Sequence, residues 1–264
     1  MSATTTAPPT TTSPGDDTDD QRTMPVWLRY VGTPLALVVV TVLTLQWVFS
    51  QELLQRDLEL LNAERIIQET LQHLLLTGLA TVLVLVIAIP LGIMLTRPWA
   101  SRSRPLFLGI ANLGQATPSI GVLVLTAVIT TQVGVGVSVF ALVVYATLPV
   151  LRNTMVGIEQ VDEFVIDAGR GMGLSSFQVL RRIELPLAVP VMLAGVRTTL
   201  VIVVGTAALA TFVGGDGLGL YINNGIKLSS TPVLVTGAVL TAVLALAVDW
   251  LGGIVEDVLR PRGL

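Results

Sequence analysis

The 264 residues are 52% hydrophobic and only 12% charged, with a net charge of −3 and a mean hydropathy of +0.79. An ordinary soluble domain carries about 25% charged residues, so a water-soluble globule is excluded. The chain has no cysteine, which excludes disulfides, Cys–His zinc sites and thiolate catalysis.

Met1–Gln21 is rich in Thr, Pro and Asp and holds no apolar run, so residues 1–29 are expected to form a disordered tail. Asp16, Asp17, Asp19 and Asp20 precede the first apolar stretch, unlike the positive flank of a signal peptide. That stretch is therefore read as a retained first membrane helix, 30–51. Tyr30–Gln51 lacks Asp, Glu, Lys and Arg over 22 residues, and roughly 20 apolar residues cross about 30 Å of hydrocarbon. In 52–69, Leu53, Leu54, Leu58, Leu60, Leu61, Ile66 and Ile67 recur at roughly helical spacing. This predicts an amphipathic helix outside the membrane.

Thr70–Thr96 is a second uncharged stretch, of 27 residues, with a span near 73–95. The single histidine, His73, opens that span, and without clustered carboxylates it points to a structural role. Pro105–Leu151 is uncharged over 47 residues. As one helix it would be about 70 Å long, so it must fold back, and Thr130–Gly136 is the expected turn between spans near 107–128 and 134–151. Pro118 and Pro149 interrupt these spans; such prolines free carbonyls and bend a helix, and are tolerated where it faces protein or water. Tyr145 lies four residues before Pro149 on nearly the same face. An aromatic face attracts a quaternary ammonium, although three Tyr, four Trp and six Phe are few for a complete cage.

Val161–Pro190 is too charged to cross a bilayer and too apolar for a solvated loop. Asp162–Ala168 is read as a short helix. Gly169, Gly171 and Gly173 then turn the chain, and Ser175 or Ser176 caps a second helix from about Phe177. Pro186 and Pro190 mark where that helix meets the membrane. Phe177, Val179, Leu180 and Ile183 seek cover there, which suggests a docking surface, with packing onto the chain's own helices as the alternative.

Two more uncharged stretches, Thr198–Gly215 and Leu228–Val248, complete six spans, the last two near 188–212 and 232–250. Arg197 falls inside the fifth span, about 10 Å beyond Pro190 as a helix. An intramembrane charge normally faces protein or water and is a candidate site, unless it snorkels to the surface. Val213–Lys227 is glycine-rich and reads as a tight turn carrying Asp216. Asp249, beside Trp250, reads as an interface anchor, and 256–264 as a tail. The uncharged stretches are too long and too uniformly apolar for the alternating strands of a membrane barrel, about ten residues each. With the N-terminus inside, eleven arginines fall in the inner segments, against Arg56, Arg65 and Lys227 outside. That bias fixes the orientation.

Asp167-Ala168-Gly169, three residues, Gly173, nine residues and Ile183-Glu184-Leu185-Pro186 resemble the coupling-loop pattern of binding-protein-dependent ABC importer permeases: Glu-Ala-Ala, three residues, Gly, nine residues, Ile-x-Leu-Pro. More narrowly, over about residues 70–255, the chain is similar to osmoprotectant permeases for glycine betaine, carnitine and choline. Gln115–Ile120, Tyr145–Thr154, Ala168–Gly173, Arg181–Pro190, Gly195–Thr198, Gly205–Ala207 and Gly214–Gly219 carry that likeness. Asp167 stands where the pattern has Glu, and Gly169 where it has Ala, so the docking detail should differ.

The resemblance implies an all-α polytopic membrane protein with six transmembrane helices and the MetI-like fold of type I ABC importer permeases. It implies a permease core over 70–255 with a coupling loop, 155–187, that engages an ATPase. Asp167, Ala168, Gly169, Gly173, Phe177, Ile183, Leu185 and Pro186 form that loop's candidate docking set. Pro118, Ser119, Tyr145, Pro149 and Arg197 are candidates for lining the substrate path. No G-x-x-x-x-G-K-[ST] motif occurs, so the phosphate cradle must lie on a partner.

The expected partners are an ATP-binding cassette ATPase dimer holding ATP and Mg, a second permease subunit (identical or homologous), an extracytoplasmic substrate-binding protein and the lipid bilayer. No nucleic acid, no cofactor within this chain and no enzymatic activity of its own are expected. The expected location is a bacterial plasma membrane, with both termini cytoplasmic. Another small polar solute, such as an amino acid, is the alternative cargo. An ion-coupled carrier would need ionisable residues or broken helices near the midplane.

Overall fold

The computed structural model describes residues 28–259; most of the expected N-terminal tail (1–27) and the last five residues (260–264) lie outside the described residues. A π-helical turn, Leu28–Gly32, leads into α1, Thr33–Phe49. The outer segment read as one helix over 52–69 is divided. A short helix α2, Gln55–Leu60, ends at Leu61, and α3, Ala63–Leu95, begins at once. The break has a local cause: Asn62 is extended, and its side chain accepts the Arg65 N–H at 2.8 Å, capping α3. The half from 63 onward thus forms the first turns of a helix of 33 residues, roughly 50 Å long.

The third expected span is broken. α4, Arg104–Ala116, and α5, Ser119–Thr130, meet at a bend of 105°. Pro118 has no N–H to continue the ladder, and it forces Thr117 into extended backbone (φ −74°, ψ 138°). Among the described residues five helices are long and apolar enough to cross a membrane, and counting the bent pair as one span makes six. The expected fold-back at 130–136 is present: Thr131 and Gly134 both have positive φ, and α6, Val135–Glu159, starts there.

α6 is the central helix. Val139, Leu142, Ala146, Val150, Leu151 and Met155 along it meet Ala80, Val84 and Ala88 of α3, together with Val203 and Ala207 of the helix α9, Leu185–Ala207. The helices cross at glycines. A Cβ on Gly195 would lie 2.9 Å from the Pro149 carbonyl, and one on Gly92 would lie 3.2 Å from that of Leu151.

Between α6 and α9 lie α7, Glu163–Gly171, and the single-turn α8, Ser176–Val179. After α9 a 3-10 stretch, Ala208–Val213, leads to α10, Gly219–Lys227, and α11, Thr231–Leu259. Helix α11 packs on α9 and α10, and α1 leans on α11. Helix α11 also carries the chain four residues into the segment read as a tail.

The expected boundary at Pro186 is not a break. Ser176–Val213 is one helical body of 38 residues. A π-helical stretch, Leu180–Glu184, takes up the mismatch ahead of Pro186, and the Leu185 N–H reaches back five residues to the Leu180 carbonyl. Widening the helix before a proline relieves the lost hydrogen bond and the ring clash.

Candidate coupling site

The segment after α6 is built by local chemistry that the spacing foreshadows. The Asp162 side chain accepts the Phe164 N–H at 2.8 Å and starts α7. Helix α7 ends in a left-handed turn. Gly173 has φ +85°, its N–H bonds the Arg170 carbonyl at 2.9 Å, and the Leu174 N–H bonds the Gly169 carbonyl at 3.2 Å. This pair of bonds is the Schellman closure, which calls for glycine at this position. Nothing lies within 4 Å of a Cβ at Gly173, so the requirement comes from the backbone and not from space. Ser175 and Gln178 then form a reciprocal capping box that opens α8.

The packing of this hairpin decides what it exposes. Gly169 is buried, and a Cβ there would press on the Ile183 side chain at 2.5 Å, so Ile183 is the cover for α7. The family pattern's alanine would require Ile183 to move. Val179 is buried beneath them, and Leu185 is half-buried at the start of α9. Asp167 is exposed and pairs with Arg170 at 3.2 Å, while Ala168 and Pro186 are also exposed. Phe164, Met172 and Phe177 are left uncovered at 83%, 75% and 68% exposure. Three large apolar side chains on a polar, capped hairpin form a surface in want of a partner.

Sequence reasoning missed the clamp beneath this surface. Arg97, just beyond α3, grips Glu184 with both arms: Nη1 donates to Oε1 at 3.3 Å and Nη2 donates to Oε2. Glu184 is buried. A two-armed guanidinium–carboxylate pair fixes orientation as well as distance. A second pair, Arg104 to Glu159 at 2.5 Å, ties the start of α4 to the end of α6. Both pairs join positions far apart in sequence, and the only hint was the unassigned residue in Ile183-Glu184-Leu185-Pro186. A groove of about 320 Å³, lined in part by Arg97, Glu159, Ile166 and Glu184, lies behind α7.

The candidate path residues fall in three places. Pro118 and Ser119 stand at the bend between α4 and α5. Tyr145 packs against the apolar cluster of Val122, Leu123, Ala141 and Val213, whose first two members lie just past that bend. Pro149 is at the crossing with α9, where its carbonyl accepts the Asn153 side-chain N–H at 2.9 Å. Arg197, two residues beyond Gly195, is directed away from that crossing. Its Nε and Nη2 donate to the two Asp249 oxygens at 2.6 and 2.7 Å, with Glu256 at 3.6 Å. Asp249, read as an interface anchor, is therefore a counter-charge of Arg197.

Residues 88–261 match the family described as binding-protein-dependent transport system inner membrane component. Among curated proteins, the glycine betaine/carnitine/choline transport system permease protein OpuCB of Bacillus subtilis is 36% identical over 205 residues, which is 77% of this chain and 92% of that protein. The carnitine transport permease protein OpuCD of Listeria monocytogenes is 39% identical over 203 residues (76% and 89%). The osmoprotectant import permease protein OsmW of Salmonella typhimurium is 36% identical over 208 residues (77% and 95%). Among solved structures, a chain of the inward-facing MetNI methionine ABC transporter superposes with a TM-score of 0.66 at 25% identity, covering 74% of this chain and 95% of that one. An amino acid ABC transporter chain at 18% identity and a TM-score of 0.62 shares the fold. This chain belongs to the inner membrane components of binding-protein-dependent transport systems, the permease subunits of ABC importers.

Proposed function

We propose that this chain imports a compact quaternary ammonium osmoprotectant, glycine betaine or choline, driven by ATP hydrolysis on a separate ATPase dimer that holds ATP and Mg. The cargo reading rests on relatives named for glycine betaine, carnitine and choline. It agrees with the chemistry of these zwitterions and cations, whose methylated nitrogen keeps its charge at every pH and asks for no proton relay. The mechanical reading rests on one observation: Phe164, Met172 and Phe177 are exposed on a hairpin that Glu184 and Arg97 bind to the spans.

In this reading the arginine-rich end is cytoplasmic, as are both termini. The hairpin, with Asp167, Ala168 and Gly169 in its first arm, Gly173 in its turn and Phe177, Ile183, Leu185 and Pro186 in its second arm, enters a cleft of the ATPase. Two ATPase subunits require two such hairpins, so a second permease, identical or homologous, completes the assembly. Pro118, Ser119 and Tyr145 line the path beside the bend, Pro149 shapes the central helix, and Arg197 serves as a paired brace. An extracytoplasmic binding protein delivers the cargo.

The test is ATP hydrolysis by the assembled complex in lipid, with its binding protein and each of glycine betaine, choline, methionine and histidine. Stimulation by betaine or choline alone is expected. Stimulation by an amino acid alone would reassign the cargo.

A further inference from the structure

Two buried polar side chains at the end of α3 remote from the coupling hairpin have no part in the site above. His73 is fully buried, and Glu69, one turn earlier, is 6% exposed. The Leu218 N–H can only donate, and it points at His73 Nδ1 at 3.3 Å. Nδ1 is therefore the acceptor, and the ring carries its proton on Nε2, which donates to the Val204 carbonyl at 3.0 Å. Glu69 accepts the Gly217 N–H at 3.0 Å. The glycine-rich turn 214–218 is thus held by two side chains of α3, and one of them also holds α9.

The fit is close. Gly217 has φ +116°, and a Cβ there would lie 3.0 Å from His73 Nδ1 and 3.1 Å from its Cα. Beside them Tyr221 is fully buried on α10, and burial, reinforced by the Glu69 carboxylate, pushes its phenol up to about 12, so the ring stays uncharged. The neighbouring turn joins the same body, because the Gly134 N–H donates to the Val213 carbonyl at 2.7 Å.

The other end of that body is the coupling hairpin. Ser176–Val213 is one continuous helical element, roughly 55 Å long. It is held at Glu184 by Arg97 and at Val204 by His73, points roughly 30 Å apart along the helix. A stiff element held at two separated points is what two distant sites need in order to bias one shared equilibrium.

We propose that His73 and Glu69 are positioning residues for coupling. They fix the turn 214–218 to α9, so that engagement of the loaded binding protein at the outer end and ATP hydrolysis at the hairpin act on the same rigid body. This rests on the importer reading above. With the latch lost, the turn yields on its own and the outer signal dissipates before it reaches the helix.

The experiment compares ATP hydrolysis by the complete complex in lipid nanodiscs with and without betaine-loaded binding protein. His73→Phe fills the space with neither donor nor acceptor. It should cut the stimulated-to-basal ratio by about fivefold or more, with basal hydrolysis and co-purified ATPase unchanged. His73→Gln, which offers one of each, should restore much of the ratio. Glu69→Gln keeps an oxygen for the Gly217 N–H and should behave as wild type, whereas Glu69→Leu should follow His73→Phe and carries the test if His73→Phe fails to accumulate. A wild-type ratio in both apolar variants overturns the proposal, and so does a proportional fall in basal and stimulated rates. A wild-type complex that ignores betaine and choline counts against the cargo reading instead. The latch is then read by hydrogen exchange over 214–218 in the membrane-embedded chain, expected to rise about tenfold or more in His73→Phe. Unchanged exchange there overturns it.

Discussion

Gly173 separates geometry from space at the scale of one residue. Its φ of +85° lies in the left-handed region, and its Cβ direction is open. A β-branched side chain there costs roughly 1–2 kcal/mol in backbone energy, and about 1.4 kcal/mol is a tenfold change in an equilibrium. Gly173→Val should therefore lower transport by about tenfold at equal membrane abundance. Gly173→Asn, which adopts this conformation more readily, should stay close to wild type, and Gly173→Asp should fail through its charge at the proposed docking surface. Uptake assays on the three variants, normalised to membrane protein, check the order.

Arg97 and Glu184 make a second residue-scale case. Removing one partner of a fully buried ion pair costs about 3–5 kcal/mol. Arg97 keeps 26% of its side chain exposed, so the loss in Arg97→Ala should be smaller but still visible as a lower Tm in detergent. The double change Arg97→Leu with Glu184→Leu should recover part of that loss, because no charge is then left buried alone.

At the scale of elements, the coupling hairpin was largely legible in the sequence and the bent pair was not. Asp162, Gly173 and Ser175 act through bonds to residues two to four positions away, so their spacing alone announces helix, turn and helix. Pro118 announces an interruption, but the 105° between α4 and α5 depends on what each half packs against. Arg97 finds Glu184 and Arg197 finds Asp249 across 87 and 52 residues, separations over which sequence spacing says nothing.

Two measurements belong at this scale. Phe177→Ala and Phe164→Ala should leave insertion intact and reduce ATPase co-purification, with the double variant worse than either, as pull-downs from equal membranes would register. In a chain without cysteine, spin labels at Leu106 and Val128 report directly on the bend. A straight helix would hold them about 33 Å apart, and the bent pair should give a clearly shorter distance.

Over the whole molecule, one helical body, Ser176–Val213, runs from the hairpin to the turn that His73 and Glu69 hold. The uncharged stretches announced the spans because hydrocarbon thickness sets their length. Their arrangement around α6 came from glycine crossings and buried pairs that composition does not encode. The proposed function is ATP-driven import of quaternary ammonium osmoprotectants. Its most direct test is uptake of labelled glycine betaine and choline into proteoliposomes containing the complete complex, with ATP supplied on the ATPase side. Accumulation should require ATP and binding protein and be lost in Gly173→Asp. Failure to accumulate either compound, by a complex that hydrolyses ATP and takes up an unrelated amino acid, would contradict it.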